Sequence, residues 1–311
     1  ERPRPVGSTA MLKTRDGDMW CVVTQPDHAA VSGSLAAHWG NDSFADPGRW
    51  HPVADPAALR AETVFAIAEH DNGWWEWEAD PPAAGKGGLP PDLIERGQDE
   101  GESMERWRRG IARFRAAHPW SSALIARHAR WLYQPKLERD ADPAFVPPIF
   151  AGGTPPAPAG DRRSGTEAFI DEMALAEAGA LDALRADPAT RDWTVPEAIA
   201  PAGRLLQVLD AVSLALCSDL MKPRSGSGRG FGRDPLDLGE VPRRGWHDRI
   251  TLRMRPGSEG EIFWDPYPFD TDPLPVGVPM RRMPDLAPGA SFAVARAAVP
   301  VELTGFRMRA G

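Results

Sequence analysis

The feature that most constrains this chain is a helix-length apolar segment, residues 203–221, with an acidic residue at its centre. The segment reads GRLLQVLDAVSLALCSDLM, and a helix that is apolar on nearly all sides is normally central and buried. Asp210 lies between Leu209 and Ala211, and its helical neighbours at three and four residues carry no positive charge. An ionised carboxylate in a dry interior must be paired, coordinated or neutralised, and a metal ion is one natural partner.

Three other predicted helices carry ligand-type side chains on their apolar faces. His70 and Asp71 close the apolar segment AETVFAIAEHD shortly before Gly73, a residue type that commonly ends helices. His28 and His128 each share a helical stripe with apolar residues, so both are expected to point inward. Nitrogen and oxygen ligands in one site suit zinc, iron and manganese. The sequence therefore favours one metal centre over the alternative, a buried polar network without metal.

The order of these residues resembles a known pattern. His28, then His70-Asp71 before a glycine, then Asp210 in a late apolar helix, is similar to the H…HD…D pattern of the HD-domain metal-dependent phosphohydrolases. TQPDHAAVSGSLAAHWG, AIAEHDNGWWEWE, SSALIARHARWLY and LLQVLDAVSLALC resemble, over most of the chain, a bacterial family of unknown function related to that fold. The resemblance implies that these four residues hold one metal ion and that Asp71 can bridge to a second ion. It implies no established activity.

Members of the superfamily with two metals add two histidines between the HD pair and the last aspartate. His118 and His128 lie in that interval, ten residues apart, which is about 15 Å on one continuous helix. Pro119 is typical of a helix start and would leave His118 in a loop. We expect His128 to be a metal ligand or an acid that faces the substrate; the alternative is a histidine buried in the core. Whether His118 is a ligand is not decided by the sequence.

The predicted elements indicate a mainly α protein, an HD-domain-like helical bundle with a small β-rich cap. An Asp-Gly turn between apolar runs predicts an amino-terminal hairpin, and the last seventy residues alternate short apolar runs with turns, as strands do. We expect the hairpin and these strands to pair. The predicted parts of the single domain 1–311 are a helical core at 25–222, a β-rich cap at 10–24 and 245–311, and a flexible linker at 222–240.

Composition narrows the classes of partner. The formal net charge of −8 argues against a general nucleic-acid binder, which normally carries a basic face. The apolar segments fall short of the roughly 20 residues that span a bilayer, and residues 1–9 contain no apolar signal-peptide core. Cys21 and Cys217 sit in apolar runs, as buried thiols in a reducing compartment do. We expect a cytoplasmic protein with a small-molecule substrate and no nucleic-acid or membrane partner. A homodimer is compatible with the sequence.

Candidate substrate contacts lie next to the predicted ligands in the sequence. Trp74, Trp75 and Trp77 follow the HD pair and form either a packed aromatic flap or a wall for a planar or apolar substrate. Arg127 and Lys136 lie near His128 in the sequence. Such charges usually lie on solvated faces, but one of them could hold an anionic group of a substrate.

The expected activity is metal-assisted hydrolysis of a small substrate, phosphorylated or not, with one or two ions of iron, manganese or zinc per chain. Asp71 would bind the ion and accept a proton, and His128 would stabilise charge or protonate the leaving group. A non-haem di-iron oxygenase is the alternative, and it needs both His118 and His128 at the second iron. A non-catalytic protein that binds a metal or a ligand is the second alternative.

Overall fold

A computed structural model describes residues 11–79, 81, 86–92, 100–137, 158–218 and 235–311 of the chain. These residues form eight α-helices and seven β-strands. The helices are α1 Gln25–Ala37, α2 Pro56–Ala68, α3 Trp75–Ala79, α4 Glu100–Phe114, α5 Pro119–Tyr133, α6 Asp161–Ala186, α7 Pro196–Cys217 and α8 Phe292–Ala297. The strands are β1 Leu12–Asp16, β2 Met19–Val23, β3 Leu236–Gly245, β4 Asp248–Pro256, β5 Glu261–Asp265, β6 Leu274–Met283 and β7 Glu302–Ala310.

The strands form one sheet in the order β1-β2-β6-β7-β5-β4-β3. Neighbouring strands are antiparallel except β5 and β7, which run parallel. The amino-terminal hairpin joins the carboxy-terminal strands through β2 and β6, where Trp20 lies opposite Met283. The last strand, β7, therefore lies in the interior of the sheet, between two strands that precede it in the chain.

The prediction of a mainly α bundle with a small cap is wrong. The seven-stranded sheet is a complete structural layer, and four of its strands are nine or ten residues long. Its buried residues Leu252, Met254 and Trp264 belong to the same apolar cluster as the residues of α7. Residues 222–234 of the predicted linker lie outside the described residues, and β3 begins at Leu236, within the range predicted as linker.

Helix α7 is the centre of this cluster, as its apolar sequence predicts. It begins at Pro196, seven residues before the predicted start, and every residue from 201 to 217 is buried. Contrary to the expectation that the apolar segments are too short, α7 is long and apolar enough to cross a membrane, the one such helix in the described part of the chain. However, 94% of its most apolar window is buried inside the protein. That burial is typical of a central core helix. Cys21 and Cys217 are buried free thiols, as predicted.

The helix starts determine which residues face α7. Thr24 caps α1 by accepting a hydrogen bond from the backbone N–H of Asp27 at 3.1 Å, so Asp27 lies in the first turn. Asp55 caps α2 in the same way, and Pro119 begins α5 directly after His118. Helices α1, α2 and α5 all pack against α7, and their inward faces meet around its middle.

Candidate metal centre

Five buried side chains from four parts of the chain converge beside the middle of α7. The five are His28 from α1, His70 and Asp71 from the turn that follows α2, His128 from α5 and Asp210 from α7. The histidines are 1–2% exposed, whereas Asp71 is 6% and Asp210 is 8% exposed. The carboxylates therefore form the side of the cluster that is closest to solvent.

The Nε2 atoms of the three histidines all face the two carboxylates. His28 Nε2 lies 3.0 Å from Asp71 Oδ2 and 3.6 Å from Asp210 Oδ1. His70 Nε2 lies 3.8 Å and 3.5 Å from the same two oxygens, and His128 Nε2 lies 3.5 Å from Asp210 Oδ2. Ligand atoms about 2.1 Å from a shared ion are about 3.0 Å apart in an octahedral site and about 3.4 Å apart in a tetrahedral one. The observed separations cover this range.

The orientation of the His70 ring follows from its hydrogen bond to the backbone. His70 Nδ1 lies 2.8 Å from the carbonyl oxygen of Ile67. Because a carbonyl oxygen can only accept, Nδ1 donates and carries the proton. In the neutral ring the lone pair is then on Nε2, which is buried and lies 3.5 Å from Asp210 Oδ1. A backbone acceptor behind the ring is the usual arrangement for a histidine ligand of a metal.

The electrostatics of the cluster show how strongly its charges interact. Burial favours the neutral form of Asp210, but its hydrogen bond with His70 and the nearby histidines outweigh burial and lower its pKa to about 2. Burial also favours neutral His70, yet Asp71 and Asp210 raise its pKa to about 9. Burial lowers the pKa of His128 to about 4, so this ring is neutral at pH 7. The site thus holds ionised Asp210 and attracts positive charge.

Charge balance indicates what the cluster could hold. Among the described residues, the ion-pair partners of Asp71 and Asp210 are the three histidines, and no lysine or arginine reaches either carboxylate. A histidine binds a metal as the neutral imidazole, so in a metal-bound state the two carboxylates would carry two negative charges that one divalent cation would cancel. The structure therefore contains His and Asp groups that could hold a metal ion.

The turn that carries two of these groups is fixed against α4. Asn72 donates hydrogen bonds from Nδ2 to the carbonyls of Glu69 at 2.7 Å and Gly110 at 3.2 Å, and accepts one from Arg113. Gly73 packs so closely on α4 that a Cβ there would lie 2.0 Å from the carbonyl oxygen of Arg106. The two residues after His70-Asp71 therefore determine where these side chains lie.

Tryptophan rings surround His128. Trp107 from α4 and Trp131 from α5 lie with their ring centroids 5.7 Å and 5.9 Å from that of His128. Trp107 is absent from our sequence-based site because α4 is highly charged around it, and only tertiary packing brings it to His128. Ser213, 2.6 Å from His28 through Oγ, is also absent, although its position one turn after Asp210 was a usable signal.

The three tryptophans after the HD pair take different positions. Trp74 is buried against Trp107, with ring centroids 4.9 Å apart, and so lies one ring away from His128. Trp75 is 40% exposed and lies under the guanidinium of Arg113. Trp77 is half-buried next to Arg106. The structure brings only Trp74 towards the cluster, as part of the aromatic wall formed with Trp107.

Of the three remaining predicted site residues, His118 and Arg127 do not join the cluster. His118 Nδ1 lies 2.8 Å from Glu62 Oε1, and its ring packs on Phe65 at a centroid distance of 4.2 Å. Arg127 forms an ion pair of 2.8 Å with buried Glu177, a carboxylate that lies outside the cluster. The side chain of Lys136 lies outside the described residues.

A buried carboxyl group, Glu78 on α3, lies near the cluster. Its Oε1 accepts a hydrogen bond of 2.7 Å from the backbone N–H of Gln25, in the first turn of α1. Burial raises the pKa of Glu78 well above its usual value, and the charges of Asp27 and Asp71 act in the same direction. Burial therefore favours the neutral form of Glu78.

Comparisons with known proteins give a family and no activity. The sequence profile of the family described as "Protein of unknown function (DUF3891)" matches residues 11–285, which includes all five residues of the cluster. No curated protein and no solved structure matches the chain. The match covers most of the 311 residues, and the chain therefore belongs to the DUF3891 family.

Proposed function

We propose that this chain is a metal-dependent hydrolase that acts on a small molecule, phosphorylated or not. The proposed ligands of one divalent ion are His28, His70, Asp71 and Asp210. The observation that supports this most is the spacing of five Nε2–Oδ pairs, 3.0–3.8 Å, in a buried site of two carboxylates. Iron, manganese and zinc all accept such ligands.

The residues of the site suit hydrolysis in distinct ways. A bound divalent ion would lower the pKa of a water molecule from about 15.7 towards about 7, and would polarise a phosphoryl or carbonyl oxygen of the substrate. The greater exposure of the carboxylates favours an approach of water and substrate from their side. The contacts of Asp71 to the histidines all use Oδ2, which leaves its other oxygen to accept a proton from the attacking water.

His128 fits a binding role better than the role of a proton donor. With a pKa lowered by burial to about 4, the ring is neutral at pH 7. Its Nε2 faces Asp210, and its Nδ1 is buried and has no hydrogen-bond partner in the structure. We therefore assign to His128 the completion of the ligand set or a hydrogen bond to the substrate, rather than protonation of the leaving group.

The position of His118 favours hydrolysis over the di-iron oxygenase. That alternative needs His118 and His128 together at a second iron. His118 instead contacts Glu62 and Phe65, whereas His128 lies within the cluster. A full second set of ligands is therefore missing from the described residues around the proposed ion.

Metal analysis followed by turnover assays tests the proposal. We expect the purified protein to contain about one divalent ion per chain, and to hydrolyse at least one of a phosphomonoester, a phosphodiester and a carboxylic ester. Chelation should abolish that turnover, and manganese, iron or zinc should restore it. Two irons per chain with oxygen consumption would support the oxygenase, and bound metal without turnover would support a binding protein. A chain that binds no metal would overturn the proposal.

Separate replacement of the two histidines tests the assigned ligand set. We expect His128→Ala to lower metal affinity by at least roughly tenfold, because a ring in contact with Asp210 is lost. His118→Ala should leave metal content and affinity unchanged, since His118 contacts Glu62 outside the cluster. Competition with a chelator measures both affinities. An equal loss of affinity in the two variants would contradict this assignment.

A further inference from the structure

A hydroxyl group lies directly behind the proposed ligand ring of His28. Ser213 Oγ is 2.6 Å from His28 Nδ1, while Nε2 of the same ring faces the carboxylates. Both residues are at most 1% exposed. Because Ser213 follows Asp210 by one helical turn, this contact also joins the His28 helix, α1, to the Asp210 helix, α7.

The single proton of the Ser213 hydroxyl already has an acceptor on its own helix. Ser213 Oγ lies 2.9 Å from the backbone carbonyl oxygen of Asp210, three residues earlier, which is a common hydrogen bond for serine within a helix. A carbonyl oxygen can only accept, so Ser213 donates to it. The Ser213 oxygen can then only accept from His28, and His28 Nδ1 must carry a proton.

A second serine packs against this contact. Ser32 on α1 is fully buried, and its Oγ lies 2.8 Å from Ser213 Oγ. The single proton of Ser32 also has two backbone acceptors within reach, the carbonyl oxygens of Leu209 at 3.2 Å and His28 at 3.3 Å. Ser32 therefore helps to hold the Ser213 hydroxyl between α1 and α7, and the direction of the His28 contact follows from the hydrogen bond of Ser213 to the Asp210 carbonyl.

We propose that Ser213 is a positioning residue which, by accepting a hydrogen bond from His28 Nδ1–H, holds the ring in the tautomer and orientation that leave Nε2 free to bind a cation. This inference rests on the metal site proposed above. Ser213 acts through His28, because its oxygen contacts Nδ1 of the ring whereas Nε2 faces the carboxylates. His28 and His70 then share one design, in which a fixed acceptor behind each ring directs Nε2 towards the same place.

The tautomer can be read directly in the zinc-loaded protein. Long-range proton–nitrogen correlation spectra of protein with ¹⁵N-labelled histidine show which ring nitrogen carries the proton and which has a metal-bound shift. For His28, assigned through its proximity to Ser32 and Ser213, we expect the proton on Nδ1 and the zinc on Nε2. A proton on Nε2, or zinc bound through Nδ1, would overturn the inference.

Matched serine variants give a second readout. We expect Ser213→Ala to lower zinc affinity by roughly 10–100-fold, the usual effect of losing a residue that orients a ligand, and Ser213→Thr to recover part of the loss. Ser122→Ala is the control, because Ser122 is also buried and donates to a backbone carbonyl, that of Ile111, away from the cluster. Unchanged zinc affinity in a folded Ser213→Ala protein would contradict the proposed role of Ser213 in positioning His28.

These outcomes separate the inference from the proposed function. A wild-type protein that binds no zinc would overturn the metal site, and the role of Ser213 with it. Zinc binding with the wrong His28 tautomer would overturn the role of Ser213 alone. The spectrum of the wild-type protein decides this point even if both Ser213 variants fail to fold.

Discussion

Replacing Asp210 with asparagine is expected to abolish metal binding while the chain still folds. Asparagine keeps the shape of the side chain but removes the charge that three histidines face in the buried cluster. Loss of a residue that only orients a ligand lowers metal affinity roughly 10–100-fold, and loss of a charged ligand should exceed that. The proposed hydrolysis should disappear with the metal.

The shift in unfolding temperature on addition of metal measures this effect. Metal at 100 times its dissociation constant should stabilise the wild-type protein by about 2.7 kcal/mol and should not stabilise Asp210→Asn. Glu177→Gln is the matched control, because Glu177 is another buried carboxylate and is paired with Arg127 and Arg130 instead of the histidines. This control should unfold at a lower temperature yet keep the full shift. A metal-induced shift that survives in Asp210→Asn would remove Asp210 from the ligand set.

Replacing Gly73 with alanine is expected to damage both stability and the metal site. The new Cβ would lie 2.0 Å from the backbone carbonyl oxygen of Arg106, so the turn after α2 must move away from α4. Overpacking of this kind typically costs roughly 1–3 kcal/mol. Because Gly73 follows Asp71 by two residues in the same turn, we expect its displacement to weaken metal binding by at least roughly tenfold as well.

A second glycine separates the two effects. Gly48→Ala would place a Cβ 1.9 Å from the carbonyl oxygen of Pro56, an equally close backbone contact that lies away from the cluster. We expect a similar loss of stability with unchanged metal affinity. Gly165→Ala, in helix α6 with no atom within 4 Å, should cost nothing. Chemical denaturation and chelator competition measure both quantities. Wild-type stability and affinity in Gly73→Ala would contradict the close packing of this turn.

The grouping of the ligand-type residues could be predicted because each of them breaks an apolar pattern. Asp210 in α7 and His28 in α1 are polar residues on faces that must be buried, so the local sequence is enough to identify them as candidate ligands. His70 and Asp71 are marked by the end of an apolar helix. The local sequence does not identify Trp107 as a site residue, because it lies in a charged helix and contacts His128 only through tertiary packing.

The sheet was underestimated for a different physical reason. β3 contains internal glycine and proline residues, and its pairing with β4 shifts register after Leu238 and again after Pro242. These irregularities interrupt the alternation of apolar and polar residues that identifies a strand, so part of β3 falls within the range predicted as linker. The parallel pairing of β5 with β7 joins residues 46 positions apart, such as Glu261 and Arg307, and no local pattern encodes it.

The interior position of β7 has a consequence for biosynthesis. Among the described strands, β7 supplies the hydrogen bonds that join β1-β2-β6 to β5-β4-β3, and without it the sheet separates into two three-stranded pieces with unpaired edges. A ribosome translating this chain makes β7 after the six other strands of the sheet. The nascent protein must therefore keep two open edges apart until residues 302–310 emerge, which makes this interval the stage at which chaperone protection matters most.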